Sequence, residues 1–177
     1  MRSLFALCVS SALVALVSGC AVSSQPKAMI AVPAGEVHHS KDTVSVAVTG
    51  GKETSSVGGS QISSKDFAQA LRDSIEKSGL FSKALDAEGG TYKLGAYIGE
   101  LAQPVLGFDM TVTMEVSYTL TDTRSQKPVW KKSIRSTYTA TTKDSIIGAT
   151  RLQMANEGAA RKNIEDAITE MSKLNLE

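Results

Sequence analysis

Between Phe108 and Thr121 the chain alternates without a break. Phe108, Met110, Val112, Met114, Val116, Tyr118 and Leu120 are apolar, and Asp109, Thr111, Thr113, Glu115, Ser117, Thr119 and Thr121 between them are polar. A period of two places one set on each face of a β-strand. One face of the sheet is therefore buried and the other is polar. Only a layered fold, with helices or a second sheet on the apolar side alone, satisfies that division.

The neighbouring segments supply the rest. Val44, Val46 and Val48 alternate with Thr43, Ser45, Ala47 and Thr49, a short strand. Gly50–Ile62 is rich in glycine and serine and reads as a loop. Ser63 or Ser64 then caps a helix, with Asp66 completing an approximate capping box. Phe67, Ala70, Leu71, Ser74, Ile75 and Ser78 recur at three- and four-residue steps, and Gly79 suits the left-handed position after the last turn. A strand covers about Tyr92–Leu101, with Tyr92, Leu94, Ala96 and Ile98 on one face. After a turn at Thr121–Lys127, another covers about Val129–Ala140, where Trp130, Ile134, Tyr138 and Ala140 share a side that Lys132 interrupts. A last helix spans about Thr150–Leu174. Its wheel gathers Leu152, Ala160, Ile164, Ala167, Ile168, Met171 and Leu174, and turns Arg151, Arg161, Lys162 and Glu165 outward. The order is β-α-β-β-β-α. The expected fold is α+β: one largely antiparallel four-stranded sheet with two helices packed on one face, in a single domain over 43–177.

The N-terminus carries an address. Arg2 is followed by fourteen uncharged, mostly apolar residues, Leu4–Val17, too few to span a bilayer, which needs roughly 20 residues. Residues 1–19 read as a signal peptide. The string Leu16-Val17-Ser18-Gly19-Cys20 resembles the bacterial lipobox. That resemblance implies cleavage before Cys20 and acylation of its thiol and new α-amino group. Several acyl chains make a durable anchor, at roughly 0.8 kcal/mol per buried methylene. Ala21 stands where aspartate would signal inner-membrane retention, so the resemblance implies the outer membrane and its periplasmic face. Residues 20–42, with Pro26, Pro33 and Gly35, read as the lipidated cysteine and a flexible tether of about 20 residues, spanning roughly 25 Å.

Composition then excludes chemistry. Processing removes one of the 19 basic residues, Arg2, and leaves 18 against 18 acidic, which speaks against nucleic acid as a partner. It also removes Cys8, and lipid consumes Cys20, so no thiol remains for a disulfide, a nucleophile or a metal. His38 and His39 lack a third ligand. Gly51-Lys52 fails the phosphate-loop pattern because Glu53 follows. Asp109 and Glu115, six residues apart along a strand, stand roughly 20 Å from each other and cannot share one substrate bond. No catalytic residue, metal or cofactor is expected.

Two features remain open. Asn156 falls on the apolar side of the last helix, flanked by Gln153 and Glu157 with Arg161 beyond. Such groups either satisfy sheet-edge backbone or form a recognition patch for a partner. Val105 and Leu106, in an apolar loop, either plug the core or are exposed contact points. Ile146 and Ile147 are expected in the core.

The lipobox, the tether and the β-α-β-β-β-α order together resemble a group of small envelope lipoproteins. It includes the lipopolysaccharide-assembly lipoprotein LptE, auxiliary lipoproteins of envelope lipid transporters and the synthase activator LpoB. The helix ending in Ser78-Gly79-Leu80-Phe81, followed by Tyr92-Lys93-Leu94, resembles the first half of such domains. The resemblance implies a non-enzymatic accessory protein held in the membrane by lipid on Cys20. It would bind an envelope protein, with lipid or lipopolysaccharide transport favoured over peptidoglycan-synthase activation. A small-ligand or glycan binder using the Thr-rich face and Tyr97 is the alternative. An envelope enzyme with an unrecognised carboxylate site is the third.

Overall fold

The computed structural model describes residues 22–55, 59–86 and 88–176. The elements in chain order are α1 (Pro26–Met29), β1 (Thr43–Thr49), α2 (Ser64–Ser78), β2 (Lys83–Asp86), β3 (Tyr92–Ala102), β4 (Met110–Asp122), β5 (Lys127–Ala140) and α3 (Gly148–Met171). The strands form one sheet in the order β2-β1-β3-β4-β5. β1 runs parallel to both β2 and β3, and β3, β4 and β5 form an antiparallel meander.

The expected architecture needs two corrections. The sheet has five strands and is mixed, because α2 carries the chain from β1 back to the same end of the sheet, the crossover that parallel pairing requires. β2 has only four residues and two apolar ones, Ala84 and Leu85, which is too short to show a period. Among the described residues there are three helices. The segment read as a tether contains α1, a single turn with Pro26 at its start; its last residue, Met29, and Ala31 just beyond it are buried in the core. Its serines and prolines hide two core residues from a composition argument.

Elsewhere local sequence and local structure agree. Ser63 caps α2: its Oγ accepts the Asp66 N–H at 3.0 Å and donates to the Asp66 carboxylate at 2.8 Å. Gly79 ends the helix at φ +69°, which a residue with a Cβ adopts only under strain. In β4 every apolar position from Met110 to Leu120 is buried. Phe108 is the exception to the sequence pattern. It lies outside β4, 84% exposed, because the strand begins at Met110. The β3–β4 pairing shifts register between Ile98 and Glu100.

The helices cover one face of the sheet. Phe67, Leu71 and Ile75 of α2 and Ala160, Ile164 and Ile168 of α3 meet Leu94, Val112, Met114 and Leu120 in one continuous core. Lys132, which breaks the apolar side of β5, reaches across to α3 and pairs with Glu170 at 2.6 Å. Lys173 pairs with the same carboxylate, and the two ammonium groups hold Glu170 down at about 2. Arg151 is another correction. It is buried, not turned outward, and its guanidinium donates to the Ser145 carbonyl at 2.7 Å, closing the loop before α3.

α3 approaches β5 closely at Gly158. A Cβ there would lie 2.3–2.6 Å from the Tyr138 ring. Gly158→Ala would gain roughly 1 kcal/mol in helix propensity but incur an overpacking cost of roughly 1–3 kcal/mol. We expect net destabilisation in urea unfolding, and a reversal of sign when Tyr138→Ala removes the ring. A stabilised single variant would show that α3 sits farther from β5.

Candidate functional site

The stretch from Ser23 to Ala31 is strapped along the seam between α2 and α3. Gln153 Nε2 donates to the Ser23 carbonyl at 3.1 Å. The Gln25 N–H donates to Glu157 Oε1 at 2.8 Å, and Arg161 donates to the Ala28 carbonyl at 3.1 Å. From α2, the Ser74 hydroxyl accepts the Ala31 N–H at 2.9 Å. The α3 partners rise from 153 to 157 to 161 as the strap rises from 23 to 25 to 28. The strap therefore runs alongside α3 in the same direction. Followed backward toward Cys20, the chain approaches the first turn of α3. Cys20, Ala21 and residues 1–19, read as a signal peptide, lie outside the described residues.

This geometry places the polar residues singled out on the last helix. Asn156 is fully buried. Its Nδ2 donates to the Ser60 carbonyl at 3.0 Å, and its Oδ1 accepts from Gln103 Nε2 at 2.8 Å. Gln103 also donates to Ser60, so the three residues pin the loops before α2 and after β3 to α3. Glu157 is buried beneath the strap and also accepts from Gln153 Nε2 at 2.9 Å. Both residues are engaged internally, Asn156 by Ser60 and Gln103 and Glu157 by Gln25 and Gln153. Arg161 is exposed, but it is engaged by the strap and lies 5.8 Å from the centre of the Tyr138 ring.

Val105 and Leu106 belong to a different surface. They are 94% and 88% exposed in the β3–β4 loop. Ile146 and Ile147, expected in the core, are 90% and 61% exposed just before α3. Ile146 and Ile147 stay out because the core seat at this end is already filled: Met110 and Ala140 are buried where β4 and β5 meet, and Arg151 lies over the loop. Sequence gives a signal for this surface, the apolar residues set among Pro104, Gly107 and Ser145, but no period to say which way they face. The two loops are neighbours, since Met110 opens β4 opposite Ala140, which closes β5. Together with Phe108 they make an apolar end to the fold.

The uncovered face of the sheet is polar and internally paired. Hydroxyl pairs cross from β4 to β5 at Thr111–Thr139, Thr113–Thr137 and Ser117–Ser133, each at 2.7–3.0 Å. Arg135 binds two carboxylates, Glu100 at 2.9 Å and Glu115 at 3.2 Å. Tyr97 stands 55% exposed beside them. Asp109 lies in the apolar loop, apart from Glu115, so the carboxylates do not converge. His39 Nδ1 lies 2.8 Å from the Gly79 carbonyl. Among the described residues, no three His, Cys, Asp or Glu side chains gather as a metal site. No helix of the described residues is long and apolar enough to cross a membrane.

Neither the family models nor the curated proteins match this chain. Solved structures do. Protein XCC0632 of Xanthomonas campestris, of the DUF330 family, superposes with a TM-score of 0.64 over 86% of this chain and 95% of its own, at 12% identity. A Caulobacter crescentus protein provisionally described as a lipoprotein gives 0.50 over 73% and 88%, at 13% identity. PelC from Paraburkholderia phytofirmans, a dodecamer, gives 0.50 over 84% and 92%, at 15% identity. At these identities the likeness is one of fold.

Proposed function

We propose that this chain is an outer-membrane lipoprotein with a non-enzymatic accessory role in envelope assembly or lipid transport. It is anchored by lipid on Cys20 at the periplasmic face and engages an envelope protein through the open face of its sheet. One observation carries this reading. All three helices lie on one side, and the other side of β3, β4 and β5 is a polar platform whose side chains are already fixed by cross-strand pairs. Preordered side chains lose little entropy on binding. Tyr97 and Arg135 are of the types that dominate interface energetics. A fold neighbour provisionally described as a lipoprotein supports the envelope setting. A second reading, a glycan or small-ligand binder, rests on the exposed Tyr97 ring and predicts a ligand-dependent rise in melting temperature.

The test is a crosslinked pull-down from membranes, comparing wild type, Tyr97→Ala/Arg135→Ala and Cys20→Ala, with intact mass and fractionation. Wild type should be acylated, outer-membrane-bound and recovered with one reproducible envelope partner. The double variant should remain acylated and lose that partner, by ~2 kcal/mol or more, some 30-fold in affinity. Cys20→Ala should leave the outer-membrane fraction. A partner indifferent to the double variant, or none at all, would defeat the proposal.

A further inference from the structure

We propose that the apolar end of the fold is a membrane-docking tip: Val105, Leu106, Phe108, Ile146 and Ile147 enter the interfacial layer of the same leaflet that holds the lipid on Cys20. The inference rests on the lipoprotein reading and adds a second, non-covalent contact with the bilayer. Its basis is the length of chain between the fold and Cys20 and the place where that chain leaves the fold.

Ser23 is hydrogen-bonded to Gln153, five residues into α3, which is about 8 Å along the axis from the helix start. Cys20 precedes Ser23 by three residues, at most about 10 Å of chain. That length is enough for the proposed lipid-bearing position to reach the level of the loops before α3. Met171, at the other end of the helix, is 18 residues from Gln153, about 27 Å in the opposite direction and well beyond the chain length that separates Ser23 from Cys20. The end of the fold that the anchor holds against the leaflet is the one bearing Leu106, Phe108 and Ile146, each at least 84% exposed. Large apolar side chains concentrated at one end mark an interaction surface, and lipid anchoring confines that surface to the bilayer, raising its effective concentration there.

The charges of these two loops are mixed. Asp109, Lys143 and Asp144 are exposed among the apolar residues, and Asp144 is turned back onto Thr141 through its N–H and hydroxyl. No single-sign patch would draw the tip to anionic headgroups. Entry is by apolar burial, so docking is insensitive to salt.

Single cysteines at Leu106 and Ile146, with controls at Thr137 on the open face and Lys173 at the far end, test this. Each full-length acylated protein is labelled with a polarity-sensitive fluorophore and reconstituted into phosphatidylethanolamine/phosphatidylglycerol vesicles. Emission from positions 106 and 146 should shift to the blue and be quenched by lipid-borne nitroxides, at low and high salt alike. The controls should stay aqueous. Adding Phe108→Ser and Ile147→Ser should return the tip labels toward water while the protein stays anchored. Aqueous tip labels on an acylated protein would overturn the inference and leave the lipoprotein reading intact. Shielding only in native membranes, or only as protein density rises, would overturn it in favour of a protein partner or a second copy. If intact mass shows Cys20 unmodified, the lipoprotein reading fails by itself. Flotation of the unanchored labelled chain with the same vesicles then decides the tip, and absence of binding overturns it.

Discussion

A chain shortened to begin at Thr43, the start of β1, is expected to be strongly destabilised relative to one beginning at Val22. The shorter chain loses Met29, fully buried between the helices, and Ala31. Removing a buried methionine side chain alone costs roughly 2–5 kcal/mol. The cut also leaves Glu157 without the Gln25 N–H and Ser74 without the Ala31 N–H. Against a total of roughly 5–15 kcal/mol for an ordinary domain, that loss leaves the shorter chain near its folding threshold. Urea unfolding of the two chains measures it, and Met29→Ala in the longer one isolates the packing share. Equal midpoints would mean that the strap rides on the surface and contributes nothing.

Asn163→Ala is expected to cost about 3 kcal/mol, because each buried polar group left unpaired costs roughly 1–3 kcal/mol. Asn163 is fully buried in α3 and joins three groups of the sheet. Its Oδ1 accepts the Tyr118 hydroxyl at 2.8 Å, and its Nδ2 donates to the Ile134 carbonyl at 2.8 Å and to Ser136 Oγ at 3.1 Å. Ser136 in turn donates to the Ala159 carbonyl at 2.8 Å. The melting temperature should fall by roughly 10 °C for a domain of this size. Burial pushes the Tyr118 hydroxyl far above its usual range, so it remains a donor through any pH at which the fold survives. Tyr118→Phe removes the hydroxyl and should weaken the fold less. The double variant should cost less than the two single changes combined, because both break the same bond. Strict additivity would show that the two side chains are not coupled.

Periodicity carries information wherever an element is long enough to repeat. β4 alternates through eleven residues from Met110 to Leu120, and the structure buries every apolar one. α2 shows its cap at Ser63 and its stop at Gly79 because both are local chemistry, settled within four residues. The missed elements are the short ones. α1 and β2 have four residues each, about one turn and two alternations, and tertiary pairing makes them regular. Arg151 and Glu157 defeat the wheel because it ranks side chains by polarity. Both are buried with their charged groups hydrogen-bonded to backbone from other segments. The candidate surfaces divide in the same way. Asn156 is recognisable as anomalous from its position on an apolar stripe. Whether Val105 and Leu106 face the core or water depends on where β3 stops against β4, a register set by residues far along the chain.

The strap also determines how the molecule yields under mechanical load. A pull on Cys20 away from the domain meets the strap end-on, so Ser23, Gln25 and Ala28 bear the force one after another, as in an opening zipper, while the sheet is spared. Once Met29 and Ala31 are withdrawn, 22–36 becomes a leash with a contour length of about 50 Å, ending where Val37 packs against the core and where His39 and Ser40 are bonded to Gly79 and Leu80. With the proposed lipid on Cys20, the domain would then have two reaches, one flush with the bilayer and one extending into the space beside it. A partner that competes for the seam between α2 and α3 would switch the domain from the first to the second without breaking a covalent bond.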